Sequence, residues 1–220
     1  MTAPDTKQRI LDTAERLFAD KGFTETSMRT LTHEAQVNLA AVHYHFGSKE
    51  RLFAEILGRI VAPVNAERTR RFDALQKRGG ELQLEAVIEA FLAPAIEFTS
   101  DDSERAQHLR QLISRMQMHR ESMHAEMLAI FGEVVNRFSG LLLQALPHLD
   151  PATLCWRMHF LIGSMCFTFN DPQGIEQLSR GLCRSDDGTH FLDQMVAAFA
   201  GAFRAPAPAA AVQSPSRPSA

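Results

Sequence analysis

Two short helical segments within residues 26–49 constrain the fold of this chain most, because neither can be stable alone. Helices shorter than about 12 residues are marginal in water, so both segments need a larger surface to pack on. Residues 7–21 supply that surface, since their apolar side chains recur with the spacing of an amphipathic helix. The expected inward-facing residues of this three-helix unit are Ile10, Ala14, Leu17, Phe18, Leu31, Ala35, Val42 and Phe46.

Each short segment carries its own start signal. The first helix is expected over about 27–36, with Thr26 or Ser27 accepting a hydrogen bond from an amide at its beginning. The second is expected to begin at Asn38, another favourable N-cap. A three-helix unit of this kind can present its last helix to the major groove of DNA, which is wide enough to admit a helix.

The same stretch resembles a known protein family. The resemblance is carried by Arg29, Leu31, Ala35-Gln36-Val37 and Val42-His43-Tyr44-His45-Phe46-Gly47-Ser48-Lys49. These residues resemble the DNA-binding signature of the TetR family of bacterial transcription regulators, over about residues 7–60. Residues 37–42 and 44–49, and less specifically 156–163, are most similar to the fatty-acid-responsive branch typified by the PsrA regulators.

The resemblance implies an all-α fold with two functional parts. The expected domains are a three-helix helix-turn-helix DNA-binding domain at 7–60 and a larger helical ligand-binding and dimerisation domain at 61–204. The flanking residues 1–6 and the Ala- and Pro-rich residues 205–220 are expected to be disordered. The remaining helices are expected from Ser48 onward, with Pro63 kinking or dividing the first, and at about 81–98, 103–118, 121–146, 151–169 and 189–204, with a short helical piece within 170–188.

By resemblance, the DNA contacts come from the helix-turn-helix and from the start of the next helix. Tyr44 and His43 can reach phosphates or base edges, and Lys49 is suited to a phosphate contact. The alternative is that residues 43–46 form an aromatic packing corner, and for His45 both interpretations stand equally. The predicted DNA-binding residues are Thr26, Ser27, Arg29, Asn38, Leu39, Ala40, Ala41, His43, Tyr44, His45 and Lys49.

Three residues depart from the family pattern. Gln36 stands at the turn between the two short helices, where the family often has glycine. A strained backbone is therefore expected at Gln36, at a cost of ~1 kcal/mol. Thr32 replaces a usual alanine, and His43 stands where tyrosine is common. These departures make the operator sequence unpredictable from family habits.

Composition favours a cytoplasmic, non-membrane protein. The net charge is −3, and residues 1–60 carry equal numbers of basic and acidic side chains, so charge alone does not indicate a nucleic-acid partner. No apolar run reaches the roughly 18–20 residues of a membrane span, and the N-terminus lacks the order of a secretory signal. The three cysteines, Cys155, Cys166 and Cys183, form no disulfide framework and fit a reducing compartment.

Residues 81–204 are rich in methionine and phenylalanine, which suits an adaptable apolar cavity. The resemblance implies a long acyl chain as ligand, free or as its coenzyme A thioester, with arginine or histidine at its head group. The alternative is that these side chains simply fill a core. The predicted ligand-binding residues are Phe91, Arg115, Met116, Met123, Met127, Phe131, Arg157, His159 and Phe160.

The resemblance also implies a homodimer formed by the last two long helices of each subunit. A two-fold dimer would place two recognition helices on a roughly palindromic double-stranded operator. The alternative is that these helix faces pack within one subunit. The predicted dimerisation residues are Met158, Ile162, Met165, Phe191, Met195 and Phe199.

The expected function is that of a ligand-responsive transcriptional repressor, without cofactor or metal. No phosphate-loop, nucleophile-elbow or zinc-protease signature occurs, so an enzyme is not expected. Two other functions stay open. One is an apolar small-molecule carrier with a non-functional helix-turn-helix. The other is a regulator gated by oxidation of Cys155, Cys166 or Cys183, although apolar helical surroundings favour buried, inert thiols at Cys155 and Cys166.

Overall fold

A computed structural model describes residues 5–99, 124–170, 173–184 and 187–207. These residues form α-helices and no strand, which confirms the predicted all-α fold. In chain order the described helices are α1 (Thr6–Lys21), α2 (Met28–Glu34), α3 (Leu39–Phe46), α4 (Lys49–Arg78), α5 (Leu84–Thr99), α6 (His124–Ala145), α7 (Pro151–Asn170), α8 (Gly174–Leu178) and α9 (Gly188–Arg204).

Helices α1 to α3 begin and end at local signals. The Ser27 hydroxyl accepts a hydrogen bond from the amide of Thr30 at 3.0 Å, and the Asn38 side chain accepts one from Ala41 at 2.8 Å. Gly47 ends α3 with a φ of 78°, a conformation that favours glycine. These caps fix where the chain turns between the two short helices.

One buried apolar cluster joins α1, α2 and α3 to the first half of α4. We call it the N-terminal core, and it consists of Ile10, Leu11, Ala14, Leu17, Phe18, Phe23, Leu31, Ala35, Val42, Phe46, Leu52, Phe53, Ile56, Leu57, Ile60 and Val61. It includes every residue predicted to face inward from the three-helix unit. Within it, the rings of Phe18, Phe23 and Phe53 pack with centroids 5.3 to 5.6 Å apart.

Helix α4 is continuous over 30 residues and passes through Pro63 without dividing. The Ser48 hydroxyl caps its start by accepting from the amide of Arg51 at 3.1 Å. The N-terminal core ends at Val61, and a second apolar cluster begins at Val64, so one helix contributes to both cores.

The second cluster, the C-terminal core, is formed by the far half of α4 and by buried residues of α5, α6, α7 and α9. Phe138 of α6 lies between two aromatic rings, with centroid distances of 4.2 Å to Phe91 and 6.3 Å to Phe72. The start of α6 also reaches the N-terminal core, where Met127, Ile130 and Phe131 pack. Helices α4 and α6 therefore connect the two halves of the subunit.

The observed bounds differ from the predicted ones mainly at helix ends. Helix α1 begins at Thr6, inside the stretch predicted as disordered, and the short α8 occupies part of the mixed 170–188 region. The predicted helix at 103–118 and residues 208–220 lie outside the described residues. None of the helices in the described part of the chain combines the length and apolar character needed to span a bilayer.

Candidate DNA-binding surface and regulatory half

Helix α3 buries one side in the N-terminal core and exposes the other. Val42 and Phe46 are buried, whereas the side chain of Tyr44 is 86% exposed. Leu39, Ala40 and His43 are exposed as well. This outer face protrudes from the three-helix unit, as a helix that reads DNA does.

Thr26 does not lie on that surface. Its side chain is buried, and its hydroxyl donates to the backbone carbonyls of Gly22 at 2.8 Å and Leu17 at 3.2 Å. The prediction that Thr26 contacts DNA is therefore wrong for its side chain, which instead joins the end of α1 to the start of α2. Ser27 and Arg29 are exposed beside it.

The two histidines of α3 have different surroundings. The Nδ1 of His43 is 2.9 Å from the carbonyl oxygen of Gly47, so this nitrogen carries the hydrogen and donates. His45 is half-buried, with its ring centroid 5.1 Å from that of Tyr44 and 6.1 Å from that of Phe46. His45 thus takes part in an aromatic corner while keeping part of its surface exposed.

Lys49 is held at the edge of the N-terminal core. Its Nζ lies 4.4 Å from the ring centroid of Phe23 and 3.5 Å from the carbonyl oxygen of Thr24. Burial lowers the pKa of the Lys49 ammonium, and the neighbouring carboxylates of Glu50 and Glu25 act in the opposite direction. A cation fixed in this way at the start of α4 is suited to one phosphate position.

Arg51 is an exposed cation that the sequence analysis missed. It lies in the first turn of α4, and its guanidinium comes within 4 Å of where a side chain on Gly47 would begin. The sequence did contain an indication that Arg51 could contact DNA: it follows the N-cap Ser48 closely and lies at the same end of α4 as Lys49.

The backbone at Gln36 is in the left-handed region, with a φ of 53°. This confirms the strained turn expected where the family often has glycine. The chain makes the turn between α2 and α3 with a residue that has a side chain, and Asn38 then caps α3 two residues later.

The predicted ligand-binding residues are not brought together. Arg115, Met116 and Met123 lie outside the described residues. Phe91 is buried in the C-terminal core, as the core-filling alternative expects. The other described members lie in three different places: Met127 and Phe131 pack on the N-terminal core, Arg157 is buried against the end of α9, and His159 and Phe160 are exposed on α7.

Arg157 has a structural task instead of a ligand-binding one. Its Nη1 donates to the carbonyl of Phe203 at 2.7 Å, and its Nη2 donates to the carbonyls of Ala205 at 2.8 Å and Pro206 at 3.2 Å. The last carbonyls of a helix have no partner within it, so Arg157 supplies the missing donors for α9. The prediction that Arg157 meets a ligand head group is corrected accordingly.

Two open clefts border residues 61–204, which we call the candidate regulatory half of the subunit. One, of about 480 Å³, runs between α5 and α9, where Glu85 and Arg204 form an ion pair. The other, of about 420 Å³, lies between α4 and α6 and is lined by Gly58, Ala62, Asn65, Ala66, Thr69, Ala129, Ile130, Glu133 and Val134. Asn65 forms part of the second cleft and donates to the carbonyl of Ile130 at 3.1 Å.

The predicted dimerisation residues lie in or against the C-terminal core. Met158, Met165 and Met195 are buried in the C-terminal core, and Ile162, Phe191 and Phe199 pack against it. The apolar side chains that α7 exposes are different ones, Trp156 (63%), Phe160 (56%) and Phe167 (67%). The alternative of packing within one subunit therefore holds for Met158, Met165 and Met195, whereas the half-buried Ile162, Phe191 and Phe199 stay predicted interface residues. The exposed apolar face of α7 is defined by Trp156, Phe160 and Phe167.

The cysteines show no disulfide. Cys155 is exposed and Cys166 and Cys183 are half-buried, so the expectation of a buried Cys155 is wrong. Among the described residues, no group of three or more histidine, cysteine or acidic side chains is placed to hold a metal ion.

Comparisons with known proteins agree with this arrangement. Residues 10–56 match the model of the bacterial regulatory proteins of the tetR family, and residues 89–202 match that of the tetracyclin repressor-like C-terminal domain. The chain is 25% identical over 169 residues to the HTH-type transcriptional repressor NicS of Pseudomonas putida, covering 76% of this chain and 77% of NicS. It is 43% identical over 54 residues to the HTH-type transcriptional regulator AcrR of Shigella flexneri, covering 24% of this chain and only 25% of AcrR.

Solved structures show the same fold. The fatty acid degradation regulator FadR from Bacillus halodurans matches with a TM-score of 0.59 and 13% identity, over 94% of this chain and 100% of that one. At this identity the likeness concerns the fold alone. Since the two family models together span both halves of the subunit, the chain belongs to the TetR family and is a helix-turn-helix, DNA-binding transcription regulator of the repressor type.

Proposed function

We propose that this protein is a homodimeric cytoplasmic repressor that a small apolar ligand releases from a palindromic operator. Residues 7–60 bind DNA, and residues 61–204 bind the ligand and dimerise. The ligand class we favour is a long-chain fatty acid or acyl-coenzyme A, as the similarity of residues 37–42 and 44–49 to the PsrA-type branch suggests.

The observation that carries the proposal is the outer face of α3. Leu39, Ala40, His43 and Tyr44 are exposed on it, while Val42 and Phe46 hold the helix to the N-terminal core. Aromatic, imidazole and small apolar groups on one helix face can contact base edges, thymine methyl groups and phosphates. Ser27, Arg29, Asn38, Ala41, His45, Lys49 and the added Arg51 complete the proposed DNA-binding surface.

Dimerisation supports the same function. In a two-fold dimer, two copies of α3 reach major grooves about one helical turn, roughly 34–36 Å, or more apart. We propose that Trp156, Phe160 and Phe167 of α7 form the centre of the interface, because a group of neighbouring exposed rings on one helix face indicates a covered surface. The exposed small residues of α9, among them Ala197, Ala198 and Gly201, permit close approach of the neighbouring helix.

The test is fluorescence anisotropy of the full-length protein on DNA from upstream of its own gene, with and without dodecanoyl-coenzyme A. We expect tight binding that weakens with salt and that the acyl compound reverses. Tyr44→Ala should weaken DNA binding about tenfold or more, whereas Leu128→Ala, which changes an exposed apolar residue of α6, should not.

The salt dependence adds a second readout. Arg29→Gln should reduce the slope of log affinity against log salt by roughly one for each phosphate that the variant no longer neutralises, hence by roughly two per dimer. Tight binding that acyl compounds leave unchanged would refute the ligand class and keep the repressor. A lipid-binding protein without salt-dependent DNA affinity at any site would instead indicate the carrier function.

A further inference from the structure

Arg68 is the most deeply buried cation described in the regulatory half. It lies on α4, and its side chain is only 4% exposed. Its Nε donates to the carbonyl of Phe91 at 2.8 Å, and its Nη1 donates to the side-chain oxygen of Asn65 at 3.2 Å. The guanidinium carbon also lies 4.3 Å from the ring centroid of Phe91.

No carboxylate of the described residues neutralises this charge. The acidic residues nearest along α4 are engaged elsewhere: Glu67 pairs with Arg70 and Arg71, and Asp73 pairs with Arg137. Glu97 of α5 pairs with Arg71. Within the described part of the chain, the Nη2 of Arg68 has no hydrogen-bond partner. The guanidinium group therefore uses only some of its N–H donors.

Buried charges in proteins are as a rule paired, because an isolated ion loses its hydration without compensation. Burial lowers the pKa of the Arg68 guanidinium to about 10, which still leaves it positively charged near pH 7. The same core contains Phe91, Phe138 and Phe72 in successive contact. A cation without a carboxylate partner among the described residues thus lies beside large apolar rings.

We propose that Arg68 binds the anionic head group of the ligand, a carboxylate or phosphate attached to an apolar body. This rests on the proposed function and specifies its ligand: an amphipathic anion is preferred over a neutral apolar molecule. The free Nη2 and the neighbouring Nη1 offer the two parallel donors that such groups accept. Arg68 replaces Arg157 and His159 as the head-group residue.

The cleft between α4 and α6 provides the approach. Asn65 connects the cleft to Arg68, because it lines the cleft and its side-chain oxygen accepts a hydrogen bond from the Nη1 of Arg68. An anion that takes over this hydrogen bond releases Asn65, which also donates to Ile130 of α6. The charged residue that lines the cleft, Glu133, is exposed and can turn to solvent.

Binding at this place acts directly on the connection between the two halves. The Asn65 bond ties α4 to α6, and Ile130 itself packs on the N-terminal core. An anion on Arg68 therefore changes the packing of α4 on α6 at the level where the two cores meet. In this way the head group, and not only the apolar body, contributes to release from DNA.

The experiment compares dodecanoate, dodecyl phosphate and 1-dodecanol, which share one alkyl chain, by calorimetric titration of the full-length protein. We expect wild type to bind either anion about tenfold or more tightly than the alcohol, as a charge-assisted hydrogen bond requires. Arg68→Met should bind all three compounds equally. The matched control Arg70→Gln, two residues along the same helix but exposed, should keep the wild-type preference.

Arg68→Met removes a buried charge in favour of an apolar side chain of similar length, so the variant is expected to fold, which circular dichroism and its melting temperature verify. A second variant, Cys166→Ser, covers the one thiol whose negative form would act on the Arg68 charge. It should retain the anion preference. Much tighter anion binding by Cys166→Ser than by wild type would show that the thiolate already neutralises Arg68 as its counter-ion, and would overturn the proposal.

The remaining outcomes separate this inference from the function it rests on. Equal binding of anion and alcohol by wild type would overturn the role of Arg68 and leave an apolar ligand in place. If Arg68→Met still binds the anions more tightly than the alcohol, a residue other than Arg68 binds the head group. Absence of binding by all three compounds would overturn both the ligand class and the Arg68 assignment.

Discussion

The Nη1 of Arg157 on α7 donates to the carbonyl of Phe203 on α9 at 2.7 Å, so one buried guanidinium ties together the last two long helices. Its Nη2 extends the contact to the carbonyls of Ala205 and Pro206. The carbonyl of Phe203 would have no partner within α9, because the final carbonyls of a helix lack one, and the other two carbonyls belong to the chain just after the helix. The bond therefore sets how the C-terminal end of α9 lies on α7.

Replacing Arg157 should destabilise the subunit. Arg157→Met leaves the buried carbonyl of Phe203 unpaired and removes the partner of the partly buried carbonyls of Ala205 and Pro206. Hydrogen bonds from a charged donor contribute about 1.5–3 kcal/mol each. We expect the free energy of unfolding in urea to fall by about 2–4 kcal/mol. Arg180→Gln, which removes an exposed arginine, should change it little. Equal stability of Arg157→Met and wild type would show that these bonds contribute nothing.

Replacing Gln36 with glycine should stabilise the protein. Its φ of 53° is strained for a residue with a Cβ, and glycine adopts this region freely. Gln36→Gly should raise the free energy of unfolding by about 1 kcal/mol. Gln36→Ala keeps the Cβ and should give no such gain. If both variants behave alike in denaturant titrations, the backbone at this turn is not strained.

The exposed rings of α7 should control dimer formation. Phe160→Asp places a charge in the proposed interface and should shift the protein to monomers at micromolar concentration in sedimentation experiments. Leu128→Asp, on the exposed side of α6, is the matched control and should stay dimeric. Since Trp156 is the single tryptophan, its emission should shift to the red as the dimer dissociates. If Phe160→Asp remains dimeric, the interface does not include the exposed rings of α7.

Glu67 should make a pH-dependent contribution to stability. Hydrogen bonds from Arg70, then Arg71, lower the pKa of the Glu67 carboxyl from 4.5 to about 2. A folded-state pKa below the unfolded one contributes stability above the unfolded value, and this contribution is lost as the pH falls toward 2. Because the pair is partly exposed, Glu67→Gln should cost at most about 1 kcal/mol at pH 7.

That cost should shrink between pH 5 and pH 2, as urea unfolding of wild type and Glu67→Gln at several pH values can show. Glu133→Gln serves as the control, since the Glu133 carboxylate makes no ion pair with the described residues. A constant difference between the Glu67→Gln variant and wild type over this range would exclude a role for ionisation.

The sequence allowed the helix-turn-helix to be predicted closely, because its determinants are local. Ser27, Asn38 and Ser48 cap helices within three residues of themselves, and Gly47 ends α3. The unfavourable turn at Gln36 was also expected, because the family that the chain resembles often has glycine there. Thr26 was the exception, since its hydroxyl bonds to Leu17 on another helix, a contact that no local pattern indicates.

In residues 61–204 the sequence allowed the helices to be predicted, but not the contacts between them. Helix α7 carries large apolar residues on several sides, so its periodicity could not decide whether Met158 or Trp156 faces the core. Arginines posed the same difficulty. Arg68 lies in a run of basic residues that looks like a solvated face, and only the packing of α4 against α5 shows that it alone is enclosed.

The continuity of α4 across Pro63 has a mechanical consequence. Arg68 lies 19 residues after Lys49 on α4, which corresponds to about 28 Å of continuous helix at 1.5 Å per residue. A tilt of about 10° around the Arg68 end would then displace the Lys49 end by about 5 Å, more than the reach of a hydrogen bond. In the mechanism proposed above, ångström-scale rearrangements beside Phe91 would thus become larger displacements at the proposed phosphate contact of Lys49.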